Sequence, residues 1–228
     1  MTPDSRRQLA AAGSRPRYRR TVSLNAAIIL AAGSSERFGS PKQLADLNGR
    51  PLLEQIVTDV LAWPVDTVVV VIGAFADEIL DSIDFQDVVV AINEDWSEGV
   101  SSSLRVGLDV LTRDPKWDRT FVALGDQPNI PKGLPKELIA VAEETQRPAV
   151  VPVYRYARGH PVLFDRSMWS RLMTLTGDTG SSPLLTTHPE FVEEVRFSDL
   201  PPSDIDIPDD LASLRTGRGR STRSDAGR

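Results

Sequence analysis

Residues 26–44 read AAIILAAGSSERFGSPKQL and carry the clearest structural signal in the chain. Its first seven residues are apolar without interruption, which is typical of a short strand that is buried on both faces of a sheet. A loop follows at once, in which Gly33 and Gly39 permit backbone conformations and close approaches that other residues do not. Successive amide groups in such a loop can cradle an anion, and Arg37 and Lys42 add positive charge suited to phosphate. The stretch therefore predicts a strand that ends in a phosphate-binding loop.

Strand-like and helix-like segments alternate along the rest of the chain. Further buried strands are predicted at 67–73, 88–93, 120–125 and 149–154, with amphipathic helices at 52–62, 77–83, 100–111 and 134–145 between them. After residue 154 the pattern is less regular, with strands at 161–165 and 191–197 flanking a helix at 166–175. We predict a doubly wound α/β fold, with a mostly parallel sheet and helices on both faces. Ligands of such folds bind beyond the carboxyl ends of the strands.

The two ends of the chain differ in charge from its middle. Six arginines fall within residues 1–20 and five within 214–228, and neither segment shows apolar periodicity. We predict disordered tails at 1–24 and 215–228 and one domain at 25–214. Outside residues 1–20 and 214–228 the chain holds 15 basic and 30 acidic residues, a net charge of about −15 that repels nucleic acid.

Several classes of protein are excluded or disfavoured. The chain has no cysteine, so it can form no disulfide and no cysteine-based zinc site. No apolar stretch is long enough to span a membrane, and we expect a cytoplasmic protein. The loop matches neither GxxxxGK[ST] nor GxGxxG, and the absence of GxSxG with only two histidines disfavours a serine-nucleophile enzyme.

Asp126 is a candidate ligand for a magnesium ion. It stands in FVALGDQP at 121–128, just past a buried strand, and a second acidic segment, DIDIPDDL, occupies 204–211. Magnesium binds few protein carboxylates and keeps several waters, so a carboxylate at the end of a strand can hold it. A single Asp more often caps a turn, and we assign Asp209 and Asp210 to the acidic start of a helix.

Three further segments lie between these motifs. WSEGVSSSL at 96–104 follows the third strand and opens a helix, for which Ser101 or Ser102 is the expected N-terminal cap. RGHPVLF at 158–164 contains His160, and GDTG occupies 177–180. Trp63, Trp117 and Trp169 are expected to pack in the core or at its rim.

These motifs together resemble the nucleotidyltransferases of molybdenum cofactor synthesis, which have a nucleotide-diphospho-sugar transferase-like fold. The loop is similar to the family signature LAAGxSxRxGxPKxL, and LGDQP at 124–128 is the form found in the cytidylyltransferase branch. The segment at 204–211 resembles DIDTPEDL, with Ile207 in place of Thr and Asp209 in place of Glu. RGHPVLF and GDxG are also family motifs. The resemblance covers roughly residues 26–214.

The resemblance implies a role for each matched residue. It implies that Lys42 and Arg37 are catalytic, that Asp126 and Asp206 bind the metal, and that Gly159 and His160 bind the acceptor. It gives nucleotide binding to eight residues: Leu30, Ala31, Ala32, Gly33, Ser34, Gly39, Gly99 and Ser103. The implied reaction is Mg²⁺-dependent transfer of a nucleoside monophosphate to a phosphate-bearing acceptor of the molybdopterin type, and the product could pass to a recipient molybdoenzyme. The LAAG start, rather than LAGG, favours CTP over GTP.

Other interpretations remain open from the sequence. A nucleotidyltransferase with another acceptor, such as a sugar phosphate, would carry the same residues. The fold group also resembles nicotine blue oxidoreductases, which reduce an aromatic pigment with a nicotinamide cofactor. A third alternative is a nucleotide-binding regulatory module without turnover. Because Lys42, Asp126 and Asp206 are all present, and hydride transfer needs no metal pair, we favour nucleotidyl transfer.

Overall fold

A computed structural model of the protein describes residues 23–155 and 157–215. The predicted tails at 1–24 and 215–228 lie outside these residues, except for positions 23, 24 and 215. No helix in the described ranges is both long and apolar enough to cross a membrane.

One eight-stranded sheet forms the centre of the molecule. Its strands run in the order β10-β7-β9-β6-β1-β4-β5, with β8 paired to β7, and a separate antiparallel pair is formed by β2 and β3. The bounds are β1 Asn25–Ala31, β2 Asp46–Leu47, β3 Arg50–Pro51, β4 Thr67–Ile72, β5 Val89–Ile92, β6 Arg119–Leu124, β7 Ala149–Tyr154, β8 Ala157–Arg158, β9 Val162–Asp165 and β10 Val192–Phe197. Strands β5, β4, β1 and β6 are parallel, as are β7 and β10, so the predicted mostly parallel α/β fold is confirmed.

Helices cover both faces of this sheet. They are α1 Leu52–Leu61, α2 Ala76–Ser82, α3 Val100–Thr112, α4 Leu134–Thr145, α5 Trp169–Leu172, α6 Ser182–Thr187 and α7 Pro208–Arg215. The helix predicted at 166–175 is shorter than expected, a 3₁₀ turn at 166–168 that leads into the four residues of α5. Helix α6 was missed because six residues give too little periodicity to identify a helix.

The core consists of two apolar layers, one on each side of the sheet. Along β1, Ala27 and Ile29 face the layer covered by α1, α2, α4 and α7, and Ala26 and Ile28 face the layer covered by α3, α5 and α6. Such alternation between two covered faces produces the continuous apolar run seen in the sequence. The three tryptophans assigned to packing, Trp63, Trp117 and Trp169, are all buried.

The topology brings several distant loops to one edge of the sheet. The segments after β1, β5 and β6 lie at the same edge because these strands are parallel neighbours. Strand β9 runs antiparallel between β6 and β7, so the residues that precede it, including His160, reach this edge as well. The carboxyl edge of the parallel strands is therefore where a ligand site is expected.

Candidate active site

A cleft of about 1130 Å³ lies at this edge of the sheet. It is lined by the loop after β1, the start of α3, the segment 177–182 and the ends of β6 and the 204–206 segment. Twelve of the fourteen residues singled out in the sequence line it: Leu30, Ala31, Ala32, Gly33, Ser34, Arg37, Lys42, Gly99, Ser103, Asp126, His160 and Asp206. The volume exceeds what one drug-sized ligand needs, so the cleft has room for two substrates.

Gly39 and Gly159 are the two predicted binding residues that do not line the cleft. The amide of Gly39 donates to the carbonyl of Ser35 at 3.1 Å and closes a turn, which φ of +79° favours. The amide of Gly159 donates to the carbonyl of Pro152 at 2.9 Å, and a Cβ at this position would lie 2.8 Å from the ring of Tyr154. Both glycines therefore shape the chain beside the cleft, and neither is placed to contact a ligand within it.

The loop after β1 is held by a buried glutamine. Nε2 of Gln43, a residue that is 2% exposed, donates to the carbonyls of Ala31 at 2.9 Å and Gly33 at 3.0 Å. Its Oε1 accepts a hydrogen bond from Ser35 Oγ at 3.1 Å, and that hydroxyl accepts one from the amide of Lys42 at 3.2 Å. The loop is thus fixed by contacts within thirteen residues of chain.

The contacts of Gln43 with Ala31, Gly33 and Ser35, which we call the clasp, leave the amide groups of the loop available. Among the described residues, the N–H groups of Gly33, Ser34, Glu36 and Arg37 have no hydrogen-bond acceptor. Because the carbonyls of the loop are turned towards Gln43, its unused donors form the kind of concave amide surface that binds anions. Anion binding by this loop stays a prediction.

Four charged side chains meet beside the loop. Lys42 Nζ lies 2.7 Å from Asp126 Oδ2 and 3.5 Å from Asp206 Oδ1, and Arg37 Nη2 lies 2.9 Å from the same Asp206 oxygen. The Lys42 side chain is 15% exposed, whereas that of Arg37 is 72% exposed. Residues far apart in sequence therefore form one compact group of two cations and two carboxylates.

Asp206 reaches this group because its segment is tied to the end of β6. The amide of Ile205 donates to the carbonyl of Asp126 at 3.0 Å, and the Ile205 side chain is fully buried in the core. Next to this bond, Gln127 Nε2 donates a hydrogen bond to Asp204 Oδ1 at 2.6 Å. These contacts join two segments almost eighty residues apart and fix the separation of Asp126 and Asp206.

The start of α7 supports the same segment from the other side. Asp210 Oδ2 accepts hydrogen bonds from the amides of Asp206 and Ile207, both at 3.0 Å. Asp209 and Asp210 lie in the first turn of this helix, as the sequence predicted. Asp210 therefore orients the backbone that carries Asp206.

Burial affects the protonation and the hydrogen bonding of the Asp126 carboxylate. Desolvation raises the pKa of Asp126 above its ordinary value, and the neighbouring Lys42 ammonium opposes that rise. Its Oδ1 is buried and has no hydrogen-bond partner among the described residues. A buried carboxylate oxygen without a donor is suited to accept a cation.

The start of α3 differs from the sequence expectation. Neither Ser101 nor Ser102 caps the helix, which begins at Val100 with Gly99 in the cap position. The amide of Val100 instead donates to Asp178 Oδ1 at 3.0 Å, from a segment 78 residues away. The predicted cap was wrong because Gly99 takes the cap position, so that Ser101 and Ser102 lie inside the first turn of the helix.

Two serine hydroxyls at the start of α3 accept hydrogen bonds from Asn93. Asn93, which is 2% exposed, donates through Nδ2 to Ser102 Oγ at 2.8 Å and to Ser103 Oγ at 3.0 Å. Ser103 lines the cleft with its hydroxyl already engaged in this way. The serines thus connect α3 to the end of β5.

His160 lies where the segment before β9 enters the cleft. Burial lowers the pKa of His160 below its ordinary value, and the Asp204 carboxylate acts in the opposite direction. The hydroxyl of Tyr154 donates to the His160 carbonyl at 3.0 Å. Arg158, which belongs to the same motif, binds Glu194 at 2.8 Å and has a structural position. The half-buried imidazole is the only part of this motif that lines the cleft within the described residues.

Three residues that position the site were not assigned by sequence reasoning. They are Gln43, which holds the loop, Asn93, which holds the α3 serines, and Asp178, which holds the first α3 amide. Gln43 and Asp178 each lie within a motif already quoted, so the motifs gave a signal for them. Asn93 follows an apolar strand, where a polar residue is a weak signal.

Comparison with known proteins agrees with this geometry. A family model described as a MobA-like NTP transferase domain matches residues 27–192. Nicotine blue oxidoreductase from Paenarthrobacter nicotinovorans is 30% identical over 183 residues, which cover 75% of this chain and 86% of that protein.

Solved structures show the same relationship. The crystal structure of Rv0371c from Mycobacterium tuberculosis H37Rv has a TM-score of 0.77 and 28% identity, covering 86% of this chain and 98% of that one. A complex of Rv0371C with manganese gives a TM-score of 0.72 and 25% identity, with coverage of 84% and 98%. Because the family model spans most of the described chain, and the relatives share its fold along nearly their whole length, the protein belongs to the MobA-like NTP transferase family.

Proposed function

We propose that the protein transfers a nucleoside monophosphate from a nucleoside triphosphate to a phosphate-bearing acceptor and releases pyrophosphate. The observation that carries this proposal is the position of Lys42 Nζ, 2.7 Å from Asp126 and 3.5 Å from Asp206, beside a loop with unused amide donors. Both substrates of such a reaction are anions. Catalysis therefore depends on positioning and on neutralising charge, which these groups are suited to provide.

Each charged group has a part in this mechanism. The amides of 33–37 and the exposed Arg37 would hold the β and γ phosphates, because amide donors and a guanidinium fork both suit phosphate oxygens. Lys42 would contact the α phosphate, where negative charge develops as the acceptor oxygen attacks the phosphorus. The P–O bond to the β phosphate breaks as the new P–O bond forms, and pyrophosphate leaves with the bonding electrons.

A magnesium ion fits the two carboxylates. The buried Oδ1 of Asp126 has no donor among the described residues, and Asp206 Oδ1 lies 3.5 Å from the same Lys42 Nζ that contacts Asp126. Mg²⁺ needs few protein ligands and also binds substrate phosphates, so two carboxylates are enough to hold it. Asp126 and Asp206 would hold Mg²⁺, which when bound would supply positive charge to neutralise the phosphates. The related Rv0371C forms a complex with manganese, a divalent ion of similar ligand preference.

The triphosphate and the acceptor are proposed from the family signature. Residues 30–33 read LAAG, which favours CTP, and RGHPVLF with GDTG favours an acceptor of the molybdopterin type. The acceptor would bind near His160, and the base would bind near Gly99 and Ser103 at the start of α3. The product would then pass to a recipient molybdoenzyme. Nucleic acid is a poor acceptor because of the acidic body of the chain.

Product analysis tests the proposal. Purified protein is incubated with Mg²⁺, a panel of triphosphates that includes CTP and GTP, and a panel of acceptors that includes molybdopterin and sugar phosphates. We expect pyrophosphate release that requires an acceptor and the metal, and that is fastest with CTP and molybdopterin. Pyrophosphate release with a sugar phosphate, and with no other acceptor of the panel, would support nucleotidyl transfer to a sugar phosphate. The absence of release with every pair would refute nucleotidyl transfer.

A second candidate function is reduction of an aromatic substrate with NAD(P)H. The observation that favours it is the 30% identity with nicotine blue oxidoreductase over 75% of this chain. Hydride transfer gives no role to two carboxylates around a lysine, and we therefore rank it second. Oxidation of NADPH by the protein with an aromatic acceptor, without dependence on Mg²⁺, would reverse the ranking.

A further inference from the structure

The two ends of the cleft differ in what they offer a phosphate. Among the described residues, the lysine and arginine that line the cleft, Lys42 and Arg37, lie at the end formed by the loop after β1, together with the unused loop amides and the carboxylates of Glu36, Asp126 and Asp206. The other end, at the start of α3, carries the exposed carboxylate of Asp178, which forms no salt bridge with any described residue. A polyphosphate therefore finds cations and unused amide donors at the loop end, and a repelling carboxylate without a paired cation at the α3 end.

The repelling end would otherwise be a good anion site. The thirteen-residue helix α3 points its N-terminus into the cleft, and the amides of a helix N-terminus together with its dipole attract phosphate. Its first three amides are occupied: Val100 N–H donates to Asp178 Oδ1 at 3.0 Å, Ser101 N–H to the carbonyl of Gly177 at 3.1 Å, and Ser102 N–H to the carbonyl of Gly99 at 3.0 Å. The helix end is thus closed by the chain itself.

The closing segment is held tightly against the helix. A Cβ on Gly99 would lie 2.6 Å from the carbonyl carbon of Gly177 and 2.8 Å from the amide of Asp178, and Gly99 has φ of +99°. Only glycine allows this backbone conformation and this approach. Arg105 Nη1 also donates to the carbonyl of Leu175 at 2.6 Å. Asp178 is therefore delivered to the helix by a rigid contact between two backbone segments.

We propose that Asp178 is a positioning residue that fixes the direction in which the nucleotide lies in the cleft. By occupying the Val100 amide and adding negative charge, it denies the α3 end to phosphate, and the triphosphate can be held only at the 33–37 loop. The uncharged base is left for the α3 end. This inference rests on the proposed function, because it assumes that the ligand is a triphosphate held by the loop.

Binding of inorganic tripolyphosphate tests the inference without any catalysis. Stoichiometry is measured by isothermal titration calorimetry on the full chain, without metal, for the natural protein and for Asp178→Ala, Asp178→Asn and Lys42→Ala. We expect one site per chain in the natural protein, lost in Lys42→Ala, and a second site in Asp178→Ala. Asp178→Asn retains an acceptor oxygen for the Val100 amide, so it should bind the second anion more weakly than Asp178→Ala.

The outcomes separate the inference from the proposed function. One site in both the natural protein and Asp178→Ala would overturn the inference and leave the proposed function standing. No site in the natural protein but one in Asp178→Ala would contradict the phosphate loop and keep the inference. Binding by neither protein would overturn both.

Steady-state kinetics give a second readout that a merely structural role would not produce. A nucleotide bound in the reversed direction is inactive, so it lowers kcat and KM by the same factor and leaves kcat/KM unchanged. For Asp178→Ala we expect both constants for the triphosphate to fall about two- to fivefold, the range that an exposed charge at a helix end supplies. A fall in kcat/KM with unchanged KM would instead assign Asp178 a structural role and overturn the inference.

Asp95→Asn is the matched control. Asp95 is exposed, lies five residues before α3 and does not line the cleft, so the variant removes an equal charge at a similar place in the chain. We expect it to bind one tripolyphosphate and to retain natural kcat and KM. A second site in this control would show that net charge alone limits binding, and would overturn the assignment to Asp178.

Discussion

The group of Arg37, Lys42, Asp126 and Asp206 has two halves that are held in place in different ways. The phosphate loop and Lys42 are held by local contacts, in which Gln43 binds Ala31, Gly33 and Ser35 within thirteen residues. Asp206 is held by contacts that span the chain, through the Ile205 amide to Asp126 and through Gln127 to Asp204. The first set of contacts, the clasp, joins residues of one segment, whereas the second set, the tether, joins segments almost eighty residues apart.

This difference separates two functions of the site. We expect the local half to bind a polyphosphate by itself, because its amides and cations lie on one segment. The long-range half completes the pair of carboxylates, and with it the metal site that we propose. Variants of the local half should therefore impair phosphate binding, and variants of the tether should impair metal dependence.

Loss of Lys42, which joins the two halves, should have the largest effect. We expect Lys42→Ala to lower kcat by roughly 10²–10³-fold, by analogy with the loss of one preorganised donor to a charged transition state. The measurement is the rate of pyrophosphate release with CTP and acceptor. Lys132→Ala, which removes an exposed lysine outside the cleft, serves as the control and should leave the rate unchanged. Unchanged turnover in Lys42→Ala would refute the mechanism.

Breaking the local clasp should come next. Gln43→Met removes the donors to the carbonyls of Ala31 and Gly33, and leaving such groups unsatisfied costs about 1–3 kcal/mol. We expect a lower free energy of unfolding in urea together with weaker binding of tripolyphosphate. Gln55→Met is the matched control, because its amide donates only to Asp59 on the same helix. If both variants bound tripolyphosphate equally well, the clasp would not shape the loop.

Weakening the tether should give a smaller and more selective effect. Ile205→Val removes one methylene from a fully buried side chain and should cost about 0.5–1.5 kcal/mol. We expect a higher Mg²⁺ concentration for half-maximal activity, with unchanged metal-free binding of tripolyphosphate. Ile83→Val makes the same change elsewhere in the same apolar layer and should lose similar stability without any change in metal dependence. Equal metal dependence in both variants would argue against the tether.

The smallest effect is expected from the pH dependence of His160. Because burial lowers the pKa of this imidazole below its ordinary 6.5, the folded protein binds the proton less readily than the unfolded chain. Its contribution to stability is full above pH 6.5 and is lost as the pH falls towards the lowered value. As the pH falls below 6.5, the melting temperature of the natural protein should therefore fall more than that of His160→Gln. A difference independent of pH would show that His160 titrates as an exposed histidine does.

The same contrast between local and long-range contacts explains what the sequence could predict. The strand and loop at 26–44 were identified because their periodicity, glycines and charges lie in one segment. The clustering of Asp126 with Lys42 followed from the rule that parallel strands end at one edge. The capping of α3 by Asp178 could not be predicted, because it depends on a contact between segments 78 residues apart. The serines next to the helix start were a reasonable local prediction, but they lie inside the first turn of the helix.

The irregular region after β7 was also the least predictable. Strand β9 inserts antiparallel between β6 and β7, and neither its direction nor its position can be deduced from a four-residue apolar run. The short helix α6 gave no periodic signal for the same reason. Yet this region supplies His160 and Asp178 to the cleft.

We propose that the cleft binds a metal-complexed nucleoside triphosphate at Lys42, Asp126 and Asp206. Calorimetric titration of CTP, GTP and NADPH, each with and without Mg²⁺, tests this proposal. We expect CTP to bind more tightly with Mg²⁺ than without it and more tightly than GTP, and we expect no binding of NADPH. Tight binding of NADPH, with CTP binding that is weak and indifferent to Mg²⁺, would contradict it.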